Sequence, residues 1–354
     1  MIDARAAVLL QAGADPQLAD VQIRPPLGDE VLVRIDAVGI CHTDVSVAAR
    51  WRRPPMVFGH EGAGTVAAVG PASTLTPGQQ VVLTFASCGQ CDRCAHGEPA
   101  YCDRSTDLNM RGETGALKAG GRDVGGGFFG QSSLATYAIA RQRNTVALTE
   151  PIDPALAAPL GCSVQTGVGT VLNALKTQPG DALVVFGVGA VGLSAVMAAR
   201  IAGCRTIVAV DPVAERRTLA TELGATTTVD PTDAAAIADL SGADAAIDTT
   251  AIPDVLATAV SVLRPRGTLA IVGLGAPTAP LPVGLIMGKG LSIRGVVEGD
   301  SDPHTFIPHL VDLWRNGDLP LDKLVTIYDF ENFDDAWSAA KTGRVIKPVL
   351  LTRR

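Results

Sequence analysis

The feature that most narrows the possible folds is an uncharged run, Ala182–Ala199, broken at its centre by glycines. A helix that crosses a bilayer needs about 20 apolar residues in succession. This run reads differently. ALVVF (182–186) is continuous and apolar, like a strand covered on both faces. Gly187-Val188-Gly189-Ala190-Val191-Gly192 follows, and then a helical pattern to about Ala202. A buried strand, a turn and a helix account for it. Gly187 permits the tight turn, Gly189 lets a pyrophosphate approach the backbone, and Gly192 packs the helix against the sheet. Phosphates would then meet the N–H groups and dipole of the helix start. A second strand, IVAVD (207–211), ends in Asp211, nineteen residues after Gly192. GxGxxG alone is weak evidence, but after a strand, before a helix and followed by an acid at this distance it is specific. Asp211 can accept hydrogen bonds from the adenosine ribose hydroxyls and would repel a 2′-phosphate, which favours NAD over NADP. ERRTLATEL ends at Gly224, a helical stretch covers 253–264, and further strands fall at about 226–229, 245–249, 268–272 and 291–296. Six strands with intervening helices predict a doubly wound parallel sheet.

A second constraint is Cys88, Cys91, Cys94 and Cys102, spaced C-x2-C-x2-C-x7-C. Four thiolates this close can enclose a tetrahedral zinc ion, leaving no position for a substrate. The expected role is structural, holding a loop with too little apolar content to fold alone. His96 lies inside this stretch and reads as an exposed loop residue. MIDARAAVLLQAG at the start is no secretory signal, so the cysteines read as metal ligands rather than disulfides, and the cytoplasm is the expected location.

A third pattern is different in kind. GICHTD (39–44) and GHEGAG (59–64) each place one soft or borderline ligand, Cys41 or His60, beside a carboxylate, Asp44 or Glu61. A catalytic zinc takes three protein ligands and leaves one position open. Cys162, in PLGCSVQTG, reads alone as a buried apolar thiol, but it offers a third partner.

With 354 residues, two domains are expected. At 47% hydrophobic and 18% charged, the chain can bury a full core. A net charge of −7 and no basic stripe argue against a nucleic-acid partner, and no membrane association is expected. Residues 1–87 read as all-β, with strands at 31–40, 64–70 and 77–83 and a barrel-like outcome. Residues 103–131 read as a long loop, in which Phe128 and Phe129 either wall a pocket or pack on the barrel.

These motifs resemble the zinc-dependent medium-chain alcohol dehydrogenases over essentially the whole chain. Within that family the chain is most similar to the aryl-alcohol (benzyl-alcohol) dehydrogenases, through TFASCGQCDRC, PAYC, FFGQSSLATYA, LGCSVQTG and GVVEGDSDP. The resemblance implies an α/β protein. A GroES-like β-barrel catalytic domain (1–155 and 296–354) would carry the zinc lobe (88–102), and a six-stranded Rossmann NAD-binding domain would occupy 156–295. It implies two zinc ions per chain: a catalytic ion on Cys41, His60 and Cys162 with Glu61 nearby, and a structural ion in the lobe. Asp44 would orient His60, and Thr43 would hydrogen-bond the substrate oxygen. Thr166 and Val191 would meet the nicotinamide, Arg216 would flank the adenosine ribose, and Lys347 would contact the pyrophosphate. Phe85 stands where the family places a pocket-wall aromatic.

Two positions depart from the family pattern. His42 replaces a frequent Arg that contacts the pyrophosphate, and Ser46 replaces a His that in some members passes the proton to solvent. The implied reaction is reversible oxidation of primary aryl or allylic alcohols to aldehydes, by a homodimer or homotetramer. The alternatives are a thiol-adduct formaldehyde dehydrogenase, a short-chain aliphatic alcohol dehydrogenase, and a non-catalytic zinc and NAD-binding protein. The last has no need of an open zinc position.

Overall fold

The computed structural model describes residues 1–352. In chain order the first strands are β1 (Ile2–Leu9), β2 (Gln17–Ile23), β3 (Glu30–Gly39), β4 (Met56–Val57), β5 (Glu61–Val69), β6 (Gln80–Leu83), β7 (Glu113–Ala119), β8 (Arg122–Gly126), β9 (Tyr137–Arg141) and β10 (Thr145–Ala147). β1, β2, β7, β8 and β4 close into a barrel. Strand alternation explains why it has an inside. Successive side chains point to opposite faces, so Ala4, Ala6 and Val8 of β1 join one cluster with Val21, Ile23, Leu117 and Val124. Ala7 and Leu9 of the same strand join another, with Val31, Val33 and Ile35 of β3.

The strand pattern then becomes parallel: β11 (Ala182–Phe186), β12 (Thr206–Val210), β13 (Thr227–Val229), β14 (Ala243–Asp248), β15 (Leu263–Ile271) and β16 (Ser292–Gly295). They form one six-stranded sheet in the order β13-β12-β11-β14-β15-β16, with every pair parallel. The order reverses direction between β11 and β14, the switch point at which such sheets bind ligands. The uncharged run divides as its glycines require, into β11 and the helix Ala190–Ile201. No single helix among the described residues is long and apolar enough to cross a membrane.

The chain ends with β17 (Val325–Asp329) and β18 (Lys347–Leu351). β18 pairs antiparallel with β3, and β17 pairs parallel with β18. They extend the sheet β10-β6-β5-β3, on which β9 also pairs with β3. Gly39 at the end of β3 opposes Glu61 on one side and Val349 on the other. Two compact units result. One comprises Met1–Cys162, Asp302–Leu313 and the chain from Leu321; the other comprises Ser163–Ser301 and Trp314–Pro320.

The expected long loop at 103–131 is not one. It folds as a short helix, Ser105–Met110, and the hairpin of β7 and β8. Ala119 pairs with Arg122, so Gly120 and Gly121 are the whole turn, at φ of 54° and 78°. A two-residue hairpin turn with positive φ at both positions favours Gly-Gly. The glycines read as loop composition were turn chemistry.

The corner before β3 is tied by a buried carboxylate. Glu30 accepts two hydrogen bonds from the Arg24 guanidinium, at 2.6 and 2.8 Å, and one from the Leu27 N–H at 2.7 Å. Burial pushes its carboxyl up, but Arg24 and the Leu27 N–H outweigh that and hold it below its ordinary value. A carboxyl lowered in the folded state stabilises fully above the unfolded value, about 4.3, and loses that contribution as pH falls through the folded value. Glu30→Gln should therefore cost about 1–3 kcal/mol at pH 7. Urea melts of both proteins from pH 7 downward should show the gap narrowing only below about pH 4; a gap independent of pH would assign the effect to shape rather than charge.

Candidate active site

The helix His42–Arg50 begins just after Cys41, and its third residue, Asp44, reaches back to accept the Cys41 N–H at 2.9 Å. That is half of a capping box. The other oxygen of Asp44 accepts the Gly59 N–H at 3.0 Å and lies 2.8 Å from His60 Nδ1. One carboxylate without exposed surface thus joins the two motif loops. Gly59 permits the junction: its φ is +100°, and a Cβ there would lie 2.2 Å from the Leu134 nitrogen. With Nδ1 donating to Asp44, His60 presents Nε2 inward. That atom is buried and has no hydrogen-bond partner. Native interiors rarely leave such an atom unpaired, so it points to a ligand.

One donor atom from each of Cys41, His60, Glu61 and Cys162 lies within 4.8 Å of the others. Cys162 follows the tight turn Ala158–Gly161, which runs so close to β6 that a Cβ on Gly161 would sit 2.1 Å from the Leu83 carbonyl oxygen. Glu61 Oε1 accepts from Lys347 Nζ at 2.8 Å, while Oε2 is buried without a partner. Lys347, expected on a pyrophosphate, is 3% exposed and engaged by this carboxylate. Sheet register supplies the reason, since β18 carries it beside the end of β3.

The electrostatics suit a cation. A hydrogen bond with Cys162 holds the Cys41 thiol well below its ordinary value against the effect of burial, and Lys347 and His60 add to the lowering. Burial would push His60 down, but attraction to Asp44 and Cys41 raises it well above the usual imidazole range. Burial raises Glu61, and Cys41 adds to it. Burial opposes the charge on Lys347, but Glu61, Cys41 and Cys162 raise it. Two sulfurs, one orphaned imidazole nitrogen and one orphaned carboxylate oxygen, Glu61 Oε2, match the S, N and O donors that zinc takes.

The remaining expected residues are dispersed around this cluster. Thr43 and Ser46 lie half-buried on the helix, with Ser46 Oγ 3.4 Å from the Thr43 carbonyl oxygen, and His42 is exposed. Phe129 stacks on the His60 ring, centroids 4.4 Å apart at 24°. Phe128 has no exposed surface and packs edge-on to Phe58 and Phe129. It also meets the His60 ring edge-on, centroids 5.7 Å apart, and, having no exposed surface, backs Phe129 in the core instead of walling a pocket itself. Phe85 is 5% exposed. Gln131 was not anticipated. It is buried, donates to the His60 and Thr84 carbonyl oxygens at 3.0 and 3.1 Å, and accepts the Gly62 N–H at 3.3 Å. A Gln directly after the Phe-Phe-Gly turn was the available signal.

The second cluster gathers Cys88, Cys91, Cys94 and Cys102, each offering a sulfur within 4.8 Å of the rest. His96 is exposed and turned to the Asp92 carbonyl oxygen. N–H groups of Gln90 and Cys91 pull the Cys88 thiol down to about 6, while burial pushes Cys102 up to about 12. Four crowded thiols cannot all ionise unaided, and a bound dication removes that conflict.

The glycine loop belongs to the parallel-sheet unit. Gly187 has φ of +81°, and a Cβ on Gly192 would sit 2.0 Å from the Gly187 carbonyl oxygen. Gly189 differs, because a Cβ there would meet nothing within 4 Å. No protein atom requires that glycine. Val191 lies in the first turn of the helix that follows. Asp211 accepts the Val188 and Val213 N–H groups, both at 2.9 Å, with the Arg216 guanidinium 3.8 Å away. Thr166, in the helix Ser163–Gly169, donates to Glu298 Oε2 at 3.2 Å.

Comparison with known proteins accords with this geometry. Residues 28–150 match the alcohol dehydrogenase GroES-like domain, and residues 190–315 match zinc-binding dehydrogenase. The chain is 43% identical to geraniol dehydrogenase of Castellaniella defragrans, over 99% of this chain and 98% of that one. An alcohol dehydrogenase zinc-binding domain protein from Burkholderia ambifaria shares the fold with a TM-score of 0.96 at 43% identity, covering 100% of both chains. Benzyl alcohol dehydrogenase from Acinetobacter calcoaceticus does so at 0.95 and 40%, again over 100% of both. Built on a GroES-like unit and a Rossmann-type unit, the chain belongs to the zinc-binding medium-chain alcohol dehydrogenase family.

Proposed function

We propose that this enzyme oxidises primary allylic or aryl alcohols to aldehydes, reversibly, with NAD as the hydride acceptor. The observation that carries the reading is the buried, unpartnered Nε2 of His60, aimed at Cys41 and Cys162 and covered by an aromatic ring. Cys41, His60 and Cys162 hold the catalytic zinc, and Cys88, Cys91, Cys94 and Cys102 hold a structural one. When bound, the catalytic zinc supplies Lewis-acid polarisation of the alcohol oxygen, and the nicotinamide supplies the hydride acceptor.

The chain's own residues do the rest. Asp44 fixes the His60 ring and its tautomer. The Thr43 hydroxyl accepts the alcohol proton and relays it, Ser46 takes the place of the relay's outer group, and His42 meets the pyrophosphate. Lys347 offsets Glu61, so that a buried carboxylate does not add an uncompensated charge beside two thiolates. Gly187, Gly189 and Gly192 receive the pyrophosphate, Asp211 and Arg216 the adenosine ribose, and Thr166 and Val191 the nicotinamide. Phe85 and Phe129 form the apolar wall, with Phe128 behind them. The substrates named for the geraniol and benzyl alcohol dehydrogenases, one allylic and one aryl, support this choice.

The two metals should separate by mutation. Cys88→Ser should lose one zinc and lower the melting temperature, with activity failing through the fold. Cys41→Ser or His60→Ala should lose the other zinc and activity with a smaller thermal effect. Metal content and melting curves on the three variants decide, and equal thermal losses would mean the assignments are wrong.

Thr43→Ala should cut kcat by roughly 10²- to 10⁴-fold, the usual range for general acid–base help, whereas Thr43→Ser should be mild. An alanine variant within twofold of wild type would remove Thr43 from the proton path.

Substrate choice is read by kcat/KM for ethanol, cyclohexylmethanol, benzyl alcohol, geraniol and a hydroxymethyl thiol adduct, each with NAD and NADP. A buried CH₂ is worth about 0.8 kcal/mol, so the larger alcohols should exceed ethanol by roughly 10²-fold. Ethanol matching benzyl alcohol would sink the apolar wall. Preference for the thiol adduct would move the enzyme to formaldehyde chemistry, and equal use of NADP would overturn the role of Asp211.

A further inference from the structure

The phrase GVVEGDSDP has no part in the chemistry above, yet it holds three successive residues in left-handed backbone. Glu298, Gly299 and Asp300 have φ of 49°, 68° and 50°. Left-handed backbone suits glycine, and a bulky residue held there is a feature that concentrates at functional sites. The turn is locked from several sides. A Cβ on Gly169 would lie 2.4 Å from the Gly299 carbonyl oxygen, and one on Gly299 would lie 2.4 Å from that of Gln165. Asn173 donates to the Gly299 carbonyl oxygen at 3.1 Å, and Arg294 pairs with Asp300.

What this turn delivers is the Glu298 carboxylate. It is 8% exposed and faces the helix Ser163–Gly169, where its Oε2 accepts from Gln165 Nε2 at 3.1 Å and from Thr166 Oγ1 at 3.2 Å. Gln165 is itself without exposed surface. The Ser301 hydroxyl donates to the Glu298 carbonyl oxygen at 2.6 Å, and its oxygen lies 3.1 Å from Gln165 Oε1. A threonine hydroxyl has one proton to give, and here Glu298 receives it. A buried carboxyl group therefore stands one hydroxyl behind the group assigned to the nicotinamide.

We propose that Glu298 is a positioning residue for the cofactor: acting through Thr166, it sets a buried negative charge beside the nicotinamide and so favours the oxidised ring over the reduced one. The chemistry follows from charge. The oxidised ring is a cation; taking up a hydride, one proton with two electrons, leaves it neutral. An opposite charge within about 4–6 Å favours the charged form, and burial limits screening by salt. The oxidised cofactor is held and the reduced one released, a bias toward alcohol oxidation. The inference rests on the assignment of Thr166 to the nicotinamide.

The test is equilibrium binding of NAD⁺ and of NADH to the full-length, zinc-loaded protein, by calorimetry and NADH fluorescence, with no turnover involved. Glu298→Gln keeps the shape and removes the charge. It should raise the ratio of Kd for NAD⁺ to Kd for NADH by roughly tenfold, with little change in melting temperature. Glu298→Gly relieves the left-handed backbone, so it should fold and show the same change should the Gln variant prove unstable. A ratio within twofold of wild type in both variants, or two Kd values that rise together, would reduce Glu298 to a structural role and overturn the proposal. Thr166→Val separates the two layers. If it leaves both Kd values unchanged, Thr166 does not meet the nicotinamide, and the inference falls with that assignment. If it weakens binding while Glu298→Gln leaves the ratio alone, the assignment stands and only the role of Glu298 falls.

Discussion

The carboxylate of Asp44 is the contact on which the rest of the metal cluster depends. A buried charge is costly unless hydrogen bonds replace its water, and Asp44 is met by three: the Cys41 N–H, the Gly59 N–H and His60 Nδ1. The same bonds that satisfy it fix one helix start, one strand start and one imidazole tautomer. Gln131 holds the other side, through the His60 carbonyl oxygen and the Gly62 N–H. His60 is thus restrained through both its backbone and its ring, and Phe129 covers the ring face.

Charge around the cluster follows from sheet register. Glu61 and Lys347 are 286 residues apart in the chain, yet β5 and β18 both meet the end of β3. A buried ion pair contributes little net stability, since desolvation offsets the attraction. Its effect is local. Lys347 lies in the field of Glu61, Cys41 and Cys162 and lowers the cost of holding negative sulfurs in a dry site. The four-cysteine lobe meets the same problem with N–H donors and crowded thiols, with no lysine near the sulfurs among its described contacts.

Legibility in the sequence tracked how local the cause was. β11, the glycine turn and the helix after it could be read because the signal is contiguous, an apolar strand, a turn with Gly187 at positive φ, and a helix whose Gly192 packs on the Gly187 carbonyl oxygen. The cysteine spacing was legible for the same reason. The hairpin of β7 and β8 was equally local and still misread, because Gly120 and Gly121 counted as loop composition when their spacing marked a two-residue turn. Phe128 and Phe129 are a different case. Their chemistry is identical, yet Phe129, at a φ of +51°, stacks on the His60 ring while the fully buried Phe128 meets it edge-on.

By itself, then, the sequence determined the parallel-sheet unit, the ligand types and the presence of two metal-binding patterns. These depend on spacing, on the freedom of glycine and on the softness of sulfur and imidazole, all properties of residues and near neighbours. Only the tertiary structure decided that Lys347 answers Glu61, that Gln131 clamps His60, and that Glu298 stands behind Thr166. Each of those pairings crosses tens to hundreds of residues. Its partner is chosen by strand register and by which buried polar group is otherwise left unsatisfied, and no local pattern in the chain encodes either.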